Sequence, residues 1–344
     1  MRIDCETTRG GRTRAGARTR AGFVRSRPPA EPVTVDNFVR AESDLYFGRT
    51  VSDGAFGQLK HNRTMAPIDK QIVVRMNRDT IYSSGVFDLD AAPVTITLPD
   101  VGGRFMSMQV ISQDHYAIDV VYAPARYTIT RESVGTRYAC VAIRTLANPL
   151  DLTDMTAAHA AQDAVMVEQA TTGSFDVPEW DAESQGRIRD ALAVLGASRG
   201  FSARTFGRKD RVDPVQHLIG TATGWGGNPA SDATYVGVFP KANDGRTVHT
   251  LTVKDVPVDA FWSVSVYDEK GYFAKNDRDA YSLNNLTAQP NPDGSFTIQF
   301  GGCEQDPVNC LPITPGWNYV VRLYRPRPEI LAGTWTFPLA QPVR

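Results

Sequence analysis

The feature that most constrains this chain is a series of short strand-like segments between residues 71 and 146. Seven runs rich in Val, Ile, Thr and aromatic residues are separated by clusters of Asp, Pro and Gly, which favour turns. No segment with helical periodicity lies between these runs, as the crossovers of a parallel sheet would require. The pattern therefore predicts an antiparallel sandwich or barrel in this part of the chain.

A second β-rich region follows residue 224 and is separated from the first by a helical segment. Residues 151–223 are rich in Ala and carry apolar residues at helical spacing, and Asp213-Pro214 has the form of a helix start. A further helix is predicted at residues 34–47, before the first strands. With 344 residues, the chain is also longer than one compact domain usually is.

The expected fold class is mainly β, with two antiparallel β-sandwich or jelly-roll-like domains joined by a helical connector. We place an N-terminal β domain with a leading helix at residues 33–150, and the connector at residues 151–223. The C-terminal jelly-roll-like domain then occupies residues 224–344. We detect no internal repeat at a fixed period.

An Arg-rich tail, residues 1–32, precedes the domains, and we expect it to be disordered. It contains eight Arg and three acidic residues, a net charge of +5 in a chain whose formal net charge is -1. The Arg residues have no aromatic interleaving and no amphipathic face, so disorder is favoured over an arm that binds nucleic acid or a membrane surface. The remaining residues carry a net charge of -6, and we predict no nucleic-acid partner.

The sequence predicts no membrane span, because no run approaches the ~18 consecutive apolar residues that a span requires. Nothing near the start of the chain resembles the apolar core of a secretory signal. We therefore expect a cytoplasmic location by default.

Four cysteines are too few for a fold built on disulfides. Cys303 and Cys310 lie between strand-like segments, and a hairpin there would bring them within bonding distance, so they are a disulfide candidate. The alternative, a metal site, needs two further ligands, and none is nearby. The sequence therefore gives no reason to expect a metal or a cofactor.

A polar cluster between two apolar runs is the strongest candidate for a functional site. In an extended segment Arg75, Asn77 and Asp79 would share one face. In one interpretation Asp79 is an acid/base group, Arg78 holds an anionic group of a substrate, and Asn77 and Tyr82 orient that substrate. In the other, Asp79 forms a buried salt bridge with Arg75 or Arg78 that fixes strand register. Both interpretations are open at this point.

His115 is the histidine that best suits the same chemistry. It stands in a polar break between two predicted strands of the N-terminal domain, and its ordinary pKa suits proton transfer near neutrality. We therefore predict that His115 is the second catalytic residue beside Asp79. The competing interpretation is a surface-loop histidine without a catalytic role.

The second β region is rich in aromatic and amide side chains, several of them in predicted loops. Aromatic rings stack on ligands and amides bond to hydroxyl groups, so such residues suit a cleft for a sugar or a polar aromatic molecule. The alternative is that they pack in the core or bond to the backbone of their own loops. The candidate substrate-binding residues here are Trp225, Asn228, Asn284 and Asn285.

Several longer motifs resemble a known pair of domains. The segment Met76-Asn-Arg-Asp-Thr-Ile-Tyr-Ser, with residues 35–44 and 105–110, resembles the DUF1254 domain. The segment Trp225-Gly-Gly-Asn-Pro, with residues 261–267 and 309–319, is similar to the DUF1214 domain. The resemblance implies mainly antiparallel β domains, the second jelly-roll-like, joined by helices. It implies no activity, and relatives in this family are often exported.

Two hypotheses about function follow. The first is an enzyme of a hydrolytic or acid/base type that acts on a small polar or anionic molecule through Asp79 and His115. The second is a non-catalytic ligand-binding or assembly protein built from β-sandwich domains, since this fold serves binding as readily as catalysis. The expected partner is a small molecule, and a homo-oligomer is compatible with either hypothesis.

Overall fold

The computed structural model describes residues 29–71, 74–197 and 202–343. Within these ranges the protein is mainly β, with 16 strands in four sheets and six helices. The expected fold class is thereby confirmed. Most of the tail predicted to be disordered, residues 1–28, lies outside the described residues.

The secondary structure follows the order β region, helical region, β region. The helices are α1 (Phe38–Ser52), α2 (Arg131–Val134), α3 (Leu152–Asp163), α4 (Ala182–Ala197), α5 (Pro214–Gly224) and α6 (Pro328–Leu331). The first eight strands are β1 (Lys60–His61), β2 (Thr80–Asp88), β3 (Val94–Leu98), β4 (Met106–Ser112), β5 (Ala117–Tyr122), β6 (Ala125–Ile129), β7 (Tyr138–Leu146) and β8 (Met166–Gln169). The others are β9 (Ala233–Val238), β10 (His249–Val253), β11 (Trp262–Tyr267), β12 (Ser282–Asn284), β13 (Phe296–Phe300), β14 (Cys310–Leu311), β15 (Asn318–Tyr324) and β16 (Gln341–Pro342). Among the residues described here, no helix is long and apolar enough to cross a membrane.

Two sheets face each other in the N-terminal domain. One has the strand order β1-β2-β7-β4-β5 and the other the order β6-β3-β8, and every pair is antiparallel. Apolar side chains from both sheets fill the space between them, including Phe87, Ile96 and Met108, all of which are fully buried. This shared core gives the domain the form of a sandwich.

The connector is helical over most of its length, but it also supplies a strand. β8 pairs with β3 of the N-terminal domain, with Val94 opposite Gln169 and Thr97 opposite Met166. Just before it, α3 is capped by Asp151, whose carboxylate accepts hydrogen bonds from the backbone N–H groups of Thr153 and Asp154. The first part of the connector is therefore attached to the N-terminal sandwich.

The C-terminal domain contains eight strands in two four-stranded sheets, in the orders β14-β13-β10-β16 and β12-β11-β15-β9. All pairs are antiparallel except β13 with β14. Leu251 and Ile298 from one sheet pack with Val264 and Val321 from the other in a continuous apolar core. The strand count and the division into two sheets are those of a jelly roll.

The leading helix α1 packs against the connector helices α4 and α5. Phe38 and Ala41 of α1 form an apolar cluster with Leu192 of α4, and the buried Glu42 carboxylate lies 2.5 Å from the Arg189 guanidinium. The helix begins at Phe38 rather than at residue 34, because residues 35–37 form a turn. α1 thus links the start of the chain to the connector.

The first of the seven strand-like runs, at residues 71–76, predicts a strand that is absent from the described residues of that segment, and residues 72–73 lie outside the described part of the chain. Val74 and Arg75 form a turn, with Arg75 in the left-handed backbone region at φ 55°. The Arg75 backbone N–H donates to the carbonyl of Gly271, and its guanidinium donates to Asn318 Oδ1 at 3.0 Å. This segment therefore crosses to the C-terminal domain instead of joining the N-terminal sheet.

Candidate functional site

Asp79 lies at the boundary between the two domains and is 1% exposed. Its carboxylate accepts hydrogen bonds from the hydroxyls of Ser263 in β11, at 2.6 Å, and Ser282 in β12, at 2.8 Å. Among the described residues neither Arg75 nor Arg78 pairs with it, so the buried salt bridge that was one of the two interpretations of the sequence is not formed. Asp79 instead attaches the N-terminal domain to a sheet of the C-terminal domain.

Asn77 and Tyr82 belong to the same boundary. The Asn77 side-chain nitrogen Nδ2 donates to the hydroxyls of Tyr82 and Tyr324, each at 3.1 Å, and its Oδ1 accepts from the backbone N–H of Asp79 at 2.7 Å. Because Tyr324 lies at the end of β15, Asn77 bridges one strand of each domain. The Asn77 amide therefore forms its hydrogen bonds at the domain boundary and not in an open site.

Arg78 points away from Asp79, toward a different part of the boundary. Its guanidinium donates to the carbonyl of Ala66 and lies 5.1 Å from the ring centroid of Tyr281. Burial lowers its pKa from the ordinary value of an arginine. Arg78 and Asp79 therefore do not face one ligand together.

His115 is buried, and both of its ring nitrogens have partners. Nε2 accepts the backbone N–H of Gly226 at 2.8 Å, so the proton is on Nδ1, which donates to the Thr221 hydroxyl at 2.8 Å. Burial, and to a smaller extent the neighbouring His217, holds the pKa of His115 well below 6.5. The imidazole is thus neutral, and its contacts fix the turn at Gly226; it shares no hydrogen bond with Asp79.

Three of the four candidate residues in the second β region contact other side chains or the backbone of their own turn. Trp225 stacks on Tyr46 at a centroid distance of 4.5 Å, and the Asn228 amide donates to the Tyr235 hydroxyl at 3.0 Å. Asn284 Oδ1 accepts backbone N–H groups at the turn that follows β12. The fourth, Asn285, lines the cleft described below.

Cys303 and Cys310 are joined by a disulfide, with their Cα atoms 5.7 Å apart. The bond connects the 3-10 turn Cys303–Gln305 to β14. Neither cysteine lines the cleft, so the disulfide has a place in the framework of the C-terminal domain rather than in the candidate site.

An open cleft of about 880 Å³ lies between the two domains. One wall comes from the loop before β4 and from α3, and includes Arg104 and Asp154. The opposite wall comes from the C-terminal domain and includes Phe261, Asn285 and Arg325. Its volume and its position at a domain boundary are typical of small-molecule sites.

Aromatic side chains form the floor of the cleft. The Phe105 ring lies 5.2 Å from Phe261 and 6.0 Å from Tyr122 between centroids. Tyr324 stacks on Phe261 at 4.1 Å, behind the surface of the cleft. The Phe105 ring meets both neighbours edge to face, at interplanar angles of 71° with Phe261 and 60° with Tyr122, so the floor is an apolar surface that a ligand ring can contact.

Arg325 is the charged group of the cleft whose guanidinium forms no hydrogen bond or ion pair among the described residues, although its charge helps to lower the pKa of the neighbouring Asp259. Arg104 forms an ion pair with Asp154 at 2.6 Å. Asp259 pairs with Arg327 at 2.7 Å, and the Asp100 carboxylate accepts the backbone N–H of Gly102 at 3.0 Å. The Arg325 guanidinium has no such bond within the described chain, and lies 4.8 Å from the ring centroid of Tyr122.

The backbone holds Arg325 in place although its conformation is unfavourable. Its φ is 51°, in the left-handed region that residues other than glycine rarely adopt. Its N–H donates to the carbonyl of Asp232, and its carbonyl accepts from the N–H of Asp259, each at 2.9 Å. Strained residues that are fixed in this way are concentrated at binding sites.

A buried polar network lies behind the aromatic floor and was not singled out by the sequence patterns. It centres on Arg144 of β7, whose guanidinium donates to Gln109 Oε1 at 2.8 Å and to the carbonyl of Gly226 at 2.9 Å. A charged residue inside an otherwise apolar strand was the available signal for Arg144. No comparable signal marks Arg325, because its exposure and its neighbours depend on how the domains meet.

The family comparison identifies both β regions. DUF1254, described as a protein of unknown function, matches residues 56–169, and DUF1214, described in the same words, matches residues 240–328. The chain belongs to the DUF1254/DUF1214 two-domain family. Asp79 and His115 fall within the DUF1254 match, and Asn285 and Arg325 fall within the DUF1214 match. No curated protein matches the chain significantly.

Two solved structures have a similar fold. The VPA0106 protein from Vibrio parahaemolyticus is 17% identical, with a TM-score of 0.67 over 91% of this chain and 100% of that one. An uncharacterized protein from Burkholderia cenocepacia is 13% identical, with a TM-score of 0.51 over 90% of this chain and 87% of that one. At these identities the likeness shows a common fold and no more.

Proposed function

We propose that this DUF1254/DUF1214 protein binds a small molecule with a planar apolar body and an anionic group in the cleft between its domains. The observation that carries the proposal is the unpaired Arg325 guanidinium in an aromatic cleft of about 880 Å³. An arginine whose backbone is fixed and whose guanidinium has no hydrogen-bonded protein partner is well suited to pair with a carboxylate or phosphate of a ligand.

The remaining lining groups support the same ligand class. The partly exposed rings of Phe105 and Tyr122 supply apolar surface that a planar body can contact, while Phe261 is 1% exposed. The Asn285 Oδ1 accepts the backbone N–H of Trp262 at 3.3 Å, while its Nδ2 has no acceptor among the described residues and is available to a ligand oxygen. We infer a ligand that stacks on the rings and directs its anionic group toward Arg325.

The hypothesis of a hydrolytic or acid/base enzyme has less support from the geometry. Asp79 and His115, the predicted catalytic residues, belong to separate hydrogen-bond groups, and neither lines the cleft. A general acid or base must reach the proton that it transfers within hydrogen-bond distance. A binding protein is therefore the function that we favour, with the enzyme as the alternative.

A titration experiment tests the proposal. Small aromatic acids, beginning with benzoate, are first screened by thermal shift, and calorimetry then compares benzoate with the uncharged benzamide. We expect benzoate to bind more tightly, and Arg325→Gln to weaken its binding roughly tenfold, since a hydrogen bond to a charged group contributes ~1.5–3 kcal/mol.

Arg187→Gln is the matched control, because Arg187 is also an exposed arginine but lies on α4, in an ion pair with Glu183. It should leave benzoate binding unchanged. Equal binding of benzoate and benzamide, or wild-type affinity in Arg325→Gln, would contradict the proposal. The same conclusion follows if none of the screened acids stabilises the protein.

A further inference from the structure

The polar network behind the cleft contains a buried positive charge without a carboxylate partner. Arg144 is 6% exposed, and no described Asp or Glu forms an ion pair with its guanidinium. Burial lowers the pKa of Arg144, but the neighbouring Tyr82, Tyr235 and Tyr324, with a hydrogen bond to Tyr82, raise it by more, so the guanidinium stays charged. An unpaired buried charge is unfavourable unless a counter-charge compensates it.

Two tyrosine hydroxyls beside Arg144 have a proton to donate and no acceptor for it among the described residues. The hydroxyls of Tyr82 and Tyr324 both accept from Asn77 Nδ2, at 3.1 Å each, which leaves the O–H proton of each one uncommitted. Tyr324 is 2% exposed, and a buried donor without an acceptor is destabilising. The Arg144 guanidinium lies 5.5 Å from the ring centroid of Tyr82, so all three groups belong to one cluster.

We propose that Arg144, Tyr82 and Tyr324 form a binding site for a small oxyanion at the domain boundary. An oxyanion supplies both of the missing elements, because its charge compensates the guanidinium and its oxygens accept the two hydroxyl protons. The ligand class is a small carboxylate or an inorganic oxyanion, and the two share this chemistry.

Residues at the edge of the cluster are partly exposed. Tyr82, Gly226 and Gly227 each keep some solvent exposure at the boundary, while Tyr324 and Arg144 lie deeper. Tyr324 also separates this site from the cleft, because its ring stacks on Phe261 of the cleft floor at 4.1 Å while its hydroxyl faces Asn77. The oxyanion site is therefore distinct from the Arg325 site and does not depend on it.

Thermal unfolding of the whole chain in a series of anions tests this site. Formate, acetate, sulfate and phosphate are titrated at pH 7 and constant ionic strength, with chloride as the balancing anion. We expect a saturable rise in Tm with at least one of the four. A response to formate and acetate alone identifies a carboxylate site, and a response that includes sulfate or phosphate identifies a general oxyanion site.

Variants then assign the response to the cluster. Tyr82→Phe and Tyr324→Phe keep the rings and remove only the hydroxyls, and each should weaken the anion response roughly tenfold, the loss of one hydrogen bond to a charged group. Tyr319→Phe is the control, because Tyr319 is a buried tyrosine of the same strand β15 whose hydroxyl accepts from the N–H of Ala340. It should respond as the wild type does.

Arg325→Gln separates this inference from the proposed function. This variant should keep a saturable anion response, because Arg325 lies in the cleft and the cluster is intact. The inference is overturned if none of the four anions gives a saturable shift in the wild type. It is also overturned if the two Tyr→Phe variants respond as strongly as Tyr319→Phe.

Discussion

Replacing Asp79 with Asn tests whether this carboxylate holds the two domains together. The change keeps the shape of the side chain and removes its negative charge. The two hydrogen bonds from Ser263 and Ser282 then become bonds between neutral groups. The charge that contributes to keeping the neighbouring Arg322 protonated is lost as well.

The expected loss follows from these contacts. A hydrogen bond to a charged group contributes ~1.5–3 kcal/mol, whereas one between neutral groups contributes ~0.5–1.5 kcal/mol. With two such bonds and a buried site, we expect the free energy of unfolding to fall by about 3 kcal/mol in Asp79→Asn. Such a loss places Asp79 among the groups whose removal is strongly destabilising.

Urea denaturation of the wild type and the variant measures this difference. Asp90→Asn is the matched control, because Asp90 pairs with Arg131 at the surface and is 53% exposed. We expect that control to stay within ~0.5 kcal/mol of the wild type. If the free energy of unfolding of Asp79→Asn is also within ~0.5 kcal/mol of the wild type, the structural role is refuted. Asp79 would then again be a candidate catalytic residue.

Two further predictions concern stability. The pKa of His115 is lowered in the folded protein, so the unfolded chain binds a proton at this histidine first as pH falls below 6.5. The free energy of unfolding should then fall by up to ~1.4 kcal/mol per pH unit. His115→Asn, which tolerates the φ of 59°, should make this decline shallower in urea titrations between pH 6.5 and 5, and an unchanged slope would contradict the assignment. The disulfide closes a loop with a sequence separation of 7, so replacing Cys303 and Cys310 with Ser should lower the free energy of unfolding by about 2 kcal/mol. Reducing agent should lower the Tm of the wild type and leave that of the double variant unchanged.

The strands and the main helices could be predicted because their signals are local. Runs of β-branched and aromatic residues mark β2 and β7, and the Asp213-Pro214 pair marks the start of α5. Strand β8 escaped prediction because its four residues follow an Ala-rich helix and gain their partner only through pairing with β3. The local sequence pattern does not show that β8 pairs with β3.

The candidate site depends on contacts between residues that are far apart in the sequence. Asn77 reaches Tyr324 across 247 positions, and Asp79 reaches Ser263 across 184. The apolar residues around Asn77 suggested an extended strand, but bonds from Arg75 to the C-terminal domain hold the described part of this segment in a turn instead. Tertiary contacts of this kind override local propensity, and no single-sequence pattern records them.

A crystal structure of the protein with bound benzoate tests the central claim most directly. We expect density for the ring on the floor formed by Phe105 and Phe261, with the carboxylate within hydrogen-bond distance of the Arg325 guanidinium. Benzoate found only outside the cleft, or an empty cleft at a saturating concentration, would contradict it.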